Sequence, residues 1–249
     1  MNKLLLLSSL LFGASVSAAE SQTLFFAKET AKESTRIVLV IEGNQVTGTQ
    51  NWVPNQPDGH GAHGTISGTL AEGGIIRVLY EYTIESSEQA EEEVLKLEGN
   101  KLFIGEGQLR VDPKNESRLN LEDPGKVVFK KALTQIPTTE PKAGTPERKA
   151  IMDAMRVPVS AEVGQEVIFT GTVRKSGPWA RFNGHVDPAN GKPKNETVAG
   201  DLELDFFALL KQDEKGAWKV LHKGFAGDIG VMEEAKEKYP KAPWVIFEY

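Results

Sequence analysis

The sequence predicts a mainly β chain in two parts. The first is an N-terminal antiparallel β-meander closing into a barrel; the second is an α+β layer, one helix on a four-stranded antiparallel sheet. Three observations predict this. Residues 75–85 place Ile76, Val78, Tyr80, Tyr82 and Ile84 on one face and Arg77, Glu81 and Thr83 on the other, the period of a half-buried strand. Between residues 36 and 133, short apolar runs alternate with breaks bearing Gly or Asn, the spacing of a meander. Residues 145–157 carry Ala150, Ile151, Ala154 and Met155 at helical spacing, ahead of further short strands.

In chain order, residues 36–42 and 45–53 read as strands joined at Gly43-Asn44. A loop rich in Pro, Gly and His follows over 54–64. Strands at 65–71 and 75–85 flank Glu72-Gly73-Gly74, and strands at 91–97 and 101–110 flank Glu98-Gly99-Asn100. A polar loop then leads to a strand at 127–133. Gly48, Gly68, Gly105 and Gly107 fall inside these runs, where they mark the bulges and bends that closure demands. Closure itself is expected because an open meander leaves pairing edges exposed. Glu88, Glu91, Glu92 and Glu93 read as a solvated edge. Residues 136–144, with Pro137, Pro141 and Gly144, read as a flexible linker between domains at 20–135 and 145–249.

In the second domain Thr145 is suited to cap a helix, with Pro146 at its first position and Glu147 in its first turn. Pro158 is expected to end that helix at Val157. Residues 165–187 read as two strands around the polar break Arg174-Lys175-Ser176-Gly177-Pro178, with Val167, Phe169 and Val173 on one face. Residues 187–200 read as a long loop, and Leu202, Leu204, Phe206, Ala208 and Leu210 as one face of a third strand. A fourth strand spans 218–225. Asp228 caps a last helix with Ala235 and Tyr239 inward, and 243–247 is a final extended segment.

Composition narrows the classes of function. The chain has 249 residues, net charge −6 and 0 cysteines, so disulfides, thiol catalysis and cysteine metal sites are excluded. Residues 20–135 carry 12 basic and 18 acidic groups. Neither half is basic, so nucleic acid and anionic membrane lack electrostatic support as partners. Asn2 and Lys3, the apolar run 4–16 and the small residues Val16-Ser17-Ala18 predict a signal peptide over 1–18, cleaved near Ala18 or Ala19, and an exported protein. That run is shorter than a membrane span needs, and no other stretch is long enough.

Residues 145–159, from Thr145-Pro146-Glu147-Arg148-Lys149-Ala150 onward, resemble the start of a domain in uncharacterised exported bacterial proteins. Gly177-Pro178-Trp179-Ala180, Gly216-Ala217-Trp218-Lys219-Val220 and Gly227-Asp228-Ile229 extend the resemblance over most of 144–247. It implies an α+β fold similar to cystatin or nuclear-transport-factor-like sheets, and neither activity nor catalytic residues. Ile66-Ser67-Gly68-Thr69, Tyr82-Thr83-Ile84 and Lys96-Leu97-Glu98-Gly99 look loosely like small lipocalin-type barrels of bacterial envelope proteins.

Candidate site residues are few. His60 and His63, beside Asp58, have donors for a zinc or copper ion, but the spacing is permissive and a flexible polar loop is the preferred reading. Asp201, Glu203 and Asp205 alternate as if along one strand face, as a carboxylate row or as plain solvated surface. His222 is placed on the face of Trp218 and Val220. Trp179 and Arg181 share a face that would cup a ligand on the open side of the sheet, and Trp52 would line a barrel mouth. No phosphate loop, nucleophile elbow or zinc-protease motif occurs, and no cofactor is implied. The expectation is a non-enzymatic exported module that binds a small apolar or amphipathic ligand or an envelope protein. The alternatives are a hydrolase or isomerase using His222 or Arg181 beside Asp205 or Asp228, and an inhibitor presenting the loop 53–64.

Overall fold

The computed structural model describes residues 21–56, 59–226 and 230–248. The expected signal peptide, Asp58 and Asp228 lie outside the described residues. Ten strands form the first sheet: β1 (Gln22–Glu29), β2 (Glu33–Glu42), β3 (Gln45–Pro54), β4 (Ala62–Leu70), β5 (Ile75–Ile84), β6 (Ser87–Glu98), β7 (Lys101–Glu106), β8 (Leu109–Asp112), β9 (Asn115–Leu121) and β10 (Val128–Gln135). Their order is β5-β4-β3-β2-β1-β10-β7-β6-β9-β8, and β5 also pairs with β6. Eight strands therefore close into an antiparallel barrel, with the β8–β9 hairpin attached outside the ring.

Three of these strands escape the sequence pattern. In β1, Leu24, Phe25 and Phe26 are consecutive and all buried, so no alternation shows. Leu24 and Phe26 fill the barrel, while Phe25 points outward into the second domain. A strand covered on both faces reads as an apolar run rather than a period of two. β8 and β9 are polar and half-exposed, and read as loop. β6 is longer than expected. Its C-terminal half pairs with β7 from Leu95 to Glu98, and Ala90 and Glu91 pair in parallel with Arg118 and Leu119 of β9. The acidic run is therefore no edge, which corrects the reading from sequence.

The second domain has α1 (Pro146–Val163), β11 (Val167–Ser176), β12 (Trp179–Pro188), α2 (Glu196–Leu202), β13 (Asp205–Gln212), β14 (Trp218–Ala226) and α3 (Gly230–Lys238). Its sheet runs β11-β12-β13-β14, all antiparallel. One face carries Val173, Phe182, Phe206 and Leu210 against α1; the other carries Trp179, Phe207 and Leu209 against α3 and the C-terminal segment. The side expected to be open is thus covered. Residues 243–247, expected to be extended, contain the 3₁₀ turn Trp244–Ile246.

The helix α1 does not stop at Pro158. It continues to Val163 and ends at Gly164, whose φ of 68° is the left-handed cap conformation. Val159 and Val163 extend the buried stripe of Ile151, Met152 and Met155, and that burial outweighs the hydrogen bond proline cannot make. Pro158→Ala restores the missing donor, at the cost of a more flexible unfolded chain. The expected result is a gain of about 1–2 kcal/mol in denaturant unfolding; a loss would contradict this account of the helix.

The linker is tied down rather than free. Thr139 exchanges both backbone hydrogen bonds with Lys175 of β11, at 2.9 and 2.8 Å. Ser176 Oγ donates to Pro137 O at 3.0 Å, and Ile136 N donates to Phe25 O at 2.8 Å. Arg174 binds barrel and tail together. Its guanidinium lies 4.9 Å from the centre of the Phe25 ring and donates to Val245 O at 3.3 Å and Glu248 O at 2.5 Å. Burial lowers its pKa, with the carboxylates of Glu140 and Glu248 opposing. Arg174→Met keeps the apolar stem and removes the donors. It is expected to cost about 2–3 kcal/mol, because two carbonyls lose a charged donor, and to speed amide exchange in residues 244–248; an unchanged exchange rate there would contradict the assignment.

Candidate ligand site at the polar end of the barrel

The barrel interior changes character along its axis. Toward the β2–β3, β4–β5 and β6–β7 turns it is filled by Leu24, Phe26, Ile37, Leu39, Ile41, Val46, Ile66, Ile76, Leu95, Leu102 and Leu133, all buried. That half has the packing of a core, not of a lumen for an apolar ligand. Toward the β1–β2, β3–β4 and β5–β6 turns the inward positions become polar. Glu33 and Thr35 come from β2, Gln50 and Trp52 from β3, Tyr80 and Tyr82 from β5, Glu91 and Glu93 from β6, and Lys131 from β10.

Glu93 sits inside because β6 keeps its alternation: Leu95 and Leu97 face inward, and so do Glu93 and Glu91 two and four positions before Leu95. The Glu93 residue is only 8 % exposed and Gln50 6 %. Gln50 Nε2 donates to Glu93 Oε1 at 2.8 Å, and Tyr80 Oη donates to Gln50 O at 3.1 Å. The rings of Tyr80 and Tyr82, two apart on one strand face, stack with centroids 4.5 Å apart. Tyr82 Oη donates to Gln89 Oε1 at 3.0 Å and lies 3.4 Å from Glu91 Oε2. Trp52 Nε1 donates to Glu33 Oε2 at 2.7 Å, and Lys131 Nζ pairs with Glu33 Oε1 at 3.2 Å. The protonated Glu93 carboxyl also meets the Glu91 carboxylate, while Gln50 Oε1 and Thr35 Oγ1 are buried with no partner in the protein.

Electrostatics follow from this geometry. Burial, reinforced by the charge of Glu91, pushes the Glu93 carboxyl up to about 8, against the pull of the Gln50 hydrogen bond and Lys131. The Glu93–Glu91 pair therefore favours keeping one proton, which the buried Glu93 side holds most strongly. Burial and Glu91 likewise push the Tyr82 hydroxyl up to about 12, and burial raises Tyr80 further. Glu33 moves the other way, held low first by the Trp52 N–H. A separate groove of about 570 Å³ lies on the outer face of this wall, lined by the outward-pointing His63, Thr65, Glu81, Thr83 and Glu88 and by Asn115 of β9.

The structure brings Trp52 into this cluster and leaves the other candidates elsewhere. His60 and His63 are exposed; His60 Nε2 lies 3.8 Å from Glu85 Oε1 at the β5–β6 turn. No group of three metal-ligating side chains occurs among the described residues. Trp179 and Arg181 share a face, as expected, but both are buried beneath α3 and the tail. Lys211 Nζ lies 4.8 Å from the centre of the Trp179 ring. His222 is not on the face of Trp218 and Val220. A bulge at Leu221 pairs His222 with Leu209 and Val220 with Leu210, which turns His222 toward α3, 3.6 Å from Glu234 Oε2. The carboxylate row at 201–205 does not form, because α2 runs through Leu202 and only Asp205 belongs to β13. Asp205 lies 3.4 Å from His185.

Sequence reasoning missed Glu93, Gln50 and Thr35. The available signal was the inward row Glu91, Glu93, Leu95, Leu97, which continues an apolar face into a run of like charge. No helix among the described residues is long and apolar enough to cross a membrane. Comparison of the chain with protein-family models, with curated proteins and with solved structures finds no match.

Proposed function

We propose that this chain is an exported, non-enzymatic binding module that takes a polar group of a small ligand at the polar end of its barrel. The observation that supports this reading is the buried Glu93–Gln50 pair inside the polar end of the barrel, beside which Gln50 Oε1 and Thr35 Oγ1 have no partner in the protein. Buried polar atoms are nearly always paired, so orphans gathered at one end of the barrel mark a place for something else to bond. The apolar half of the barrel is filled by its own side chains, so the ligand is held by polar contacts rather than swallowed by a lumen.

The test is mass spectrometry of small molecules retained by the intact chain after incubation with cell extract. The comparison is Glu93→Leu, with Gln50→Met as a second variant should the first fail to fold. A molecule held by the wild type and lost from a folded variant supports the reading. The same retained set on all chains, or none on the wild type, contradicts it.

A further inference from the structure

We propose that the ligand group taken at the polar end is an organic cation, a primary ammonium or a guanidinium, seated on the Glu93 carboxylate, Gln50 Oε1 and Thr35 Oγ1. This rests on the polar end being a ligand site. Two arguments single out a cation. First, every orphan atom there can accept a hydrogen bond, and an ammonium offers three donors and no acceptor. Second, the charge does not balance. Facing Glu93 are Glu91 on its own strand, Tyr80 and Tyr82 on β5, Glu33 on β2 and Lys131 on β10. Lys131 is taken by Glu33, and among the described residues no cation lies within ion-pair distance of Glu91 or Glu93.

Without ligand the site is neutralised by the proton on Glu93. When the cation binds, that proton leaves to solvent and the ammonium replaces it, charge for charge. Below the Glu93 transition, binding therefore strengthens about tenfold per pH unit, and it levels off above.

The test uses the full chain with n-butylammonium, its neutral counterpart n-butanol and the anion butyrate, followed by calorimetry in two buffers of different ionisation heat. The expected result is saturable binding of n-butylammonium alone. One proton is released per cation bound at pH 6.5, and binding is lost in Glu93→Gln and retained in Lys211→Gln, a control remote from the barrel. No saturable binding of n-butylammonium up to about 50 mM at pH 9 overturns the inference, since a site weaker than that has negligible specific affinity. Binding of n-butanol without n-butylammonium also overturns it, while leaving the polar end a ligand site. Failure of the proposed function itself is read separately, from the extract comparison.

Discussion

Glu93→Gln is expected to make the protein more stable than wild type at pH 9 and equally stable at pH 5. The native carboxyl, pushed up to about 8, keeps its proton where the unfolded chain, near the ordinary 4.5, has lost it. Between those values the native state binds more protons, so stability falls as pH rises and stops falling above the native transition. The loss from pH 5 to pH 9 is at most on the order of 4 kcal/mol. Glutamine has the shape of the protonated acid and no titration, so the variant's stability stays level across that window. Glu33 contributes in the opposite sense, below its ordinary range, and does so equally in both chains. Parallel urea titrations of wild type and variant check this. Two curves with the same pH slope between pH 5 and 9 would place Glu93 in water.

The second large effect is expected from Gly48→Ala on β3. A Cβ built there would lie 1.8 Å from Val38 O and 2.9 Å from Val38 C, both backbone atoms of the neighbouring strand, and the Gly48 φ is 156°. Neither neighbour is a side chain able to swing aside. The methyl has to push β2 and β3 apart at the Leu39–Gly48–Ile66 row, where Leu39 and Ile66 are buried. The expected cost is at least about 3–4 kcal/mol, at the upper end for overpacking. Gly99→Ala is the comparison: φ is 58° there but nothing lies within 4 Å, so only the backbone term of about 1 kcal/mol applies. Equal costs for the two variants would mean that the close approach of β2 and β3 is not as described.

How much was legible in the residues depends on how many faces each element buries. β5 has one wet face, and its alternation of Ile76, Val78 and Tyr80 with Arg77 and Glu81 shows in the string. β1 hides because Phe25 is covered by the second domain while Leu24 and Phe26 fill the barrel, and that cover comes from residues as far along the chain as Arg174 and Trp244. Pro158 misleads because the local rule against helical proline is weaker than the packing of Val159 and Val163 behind it. His222 is misplaced by a single bulged residue, Leu221, since one inserted position moves everything after it to the other face. Glu93 is the instructive miss. Charge runs usually face water, and only the closed ring of strands puts this one inside.

The measurement that bears most directly on the polar end is a carbon-13 titration of the Glu93 side-chain carboxyl in the intact protein. A midpoint near 8, moving downward when n-butylammonium is added, is the expected result. A midpoint near the ordinary 4.5 would contradict the burial of Glu93, the charge argument built on it and the ligand site together.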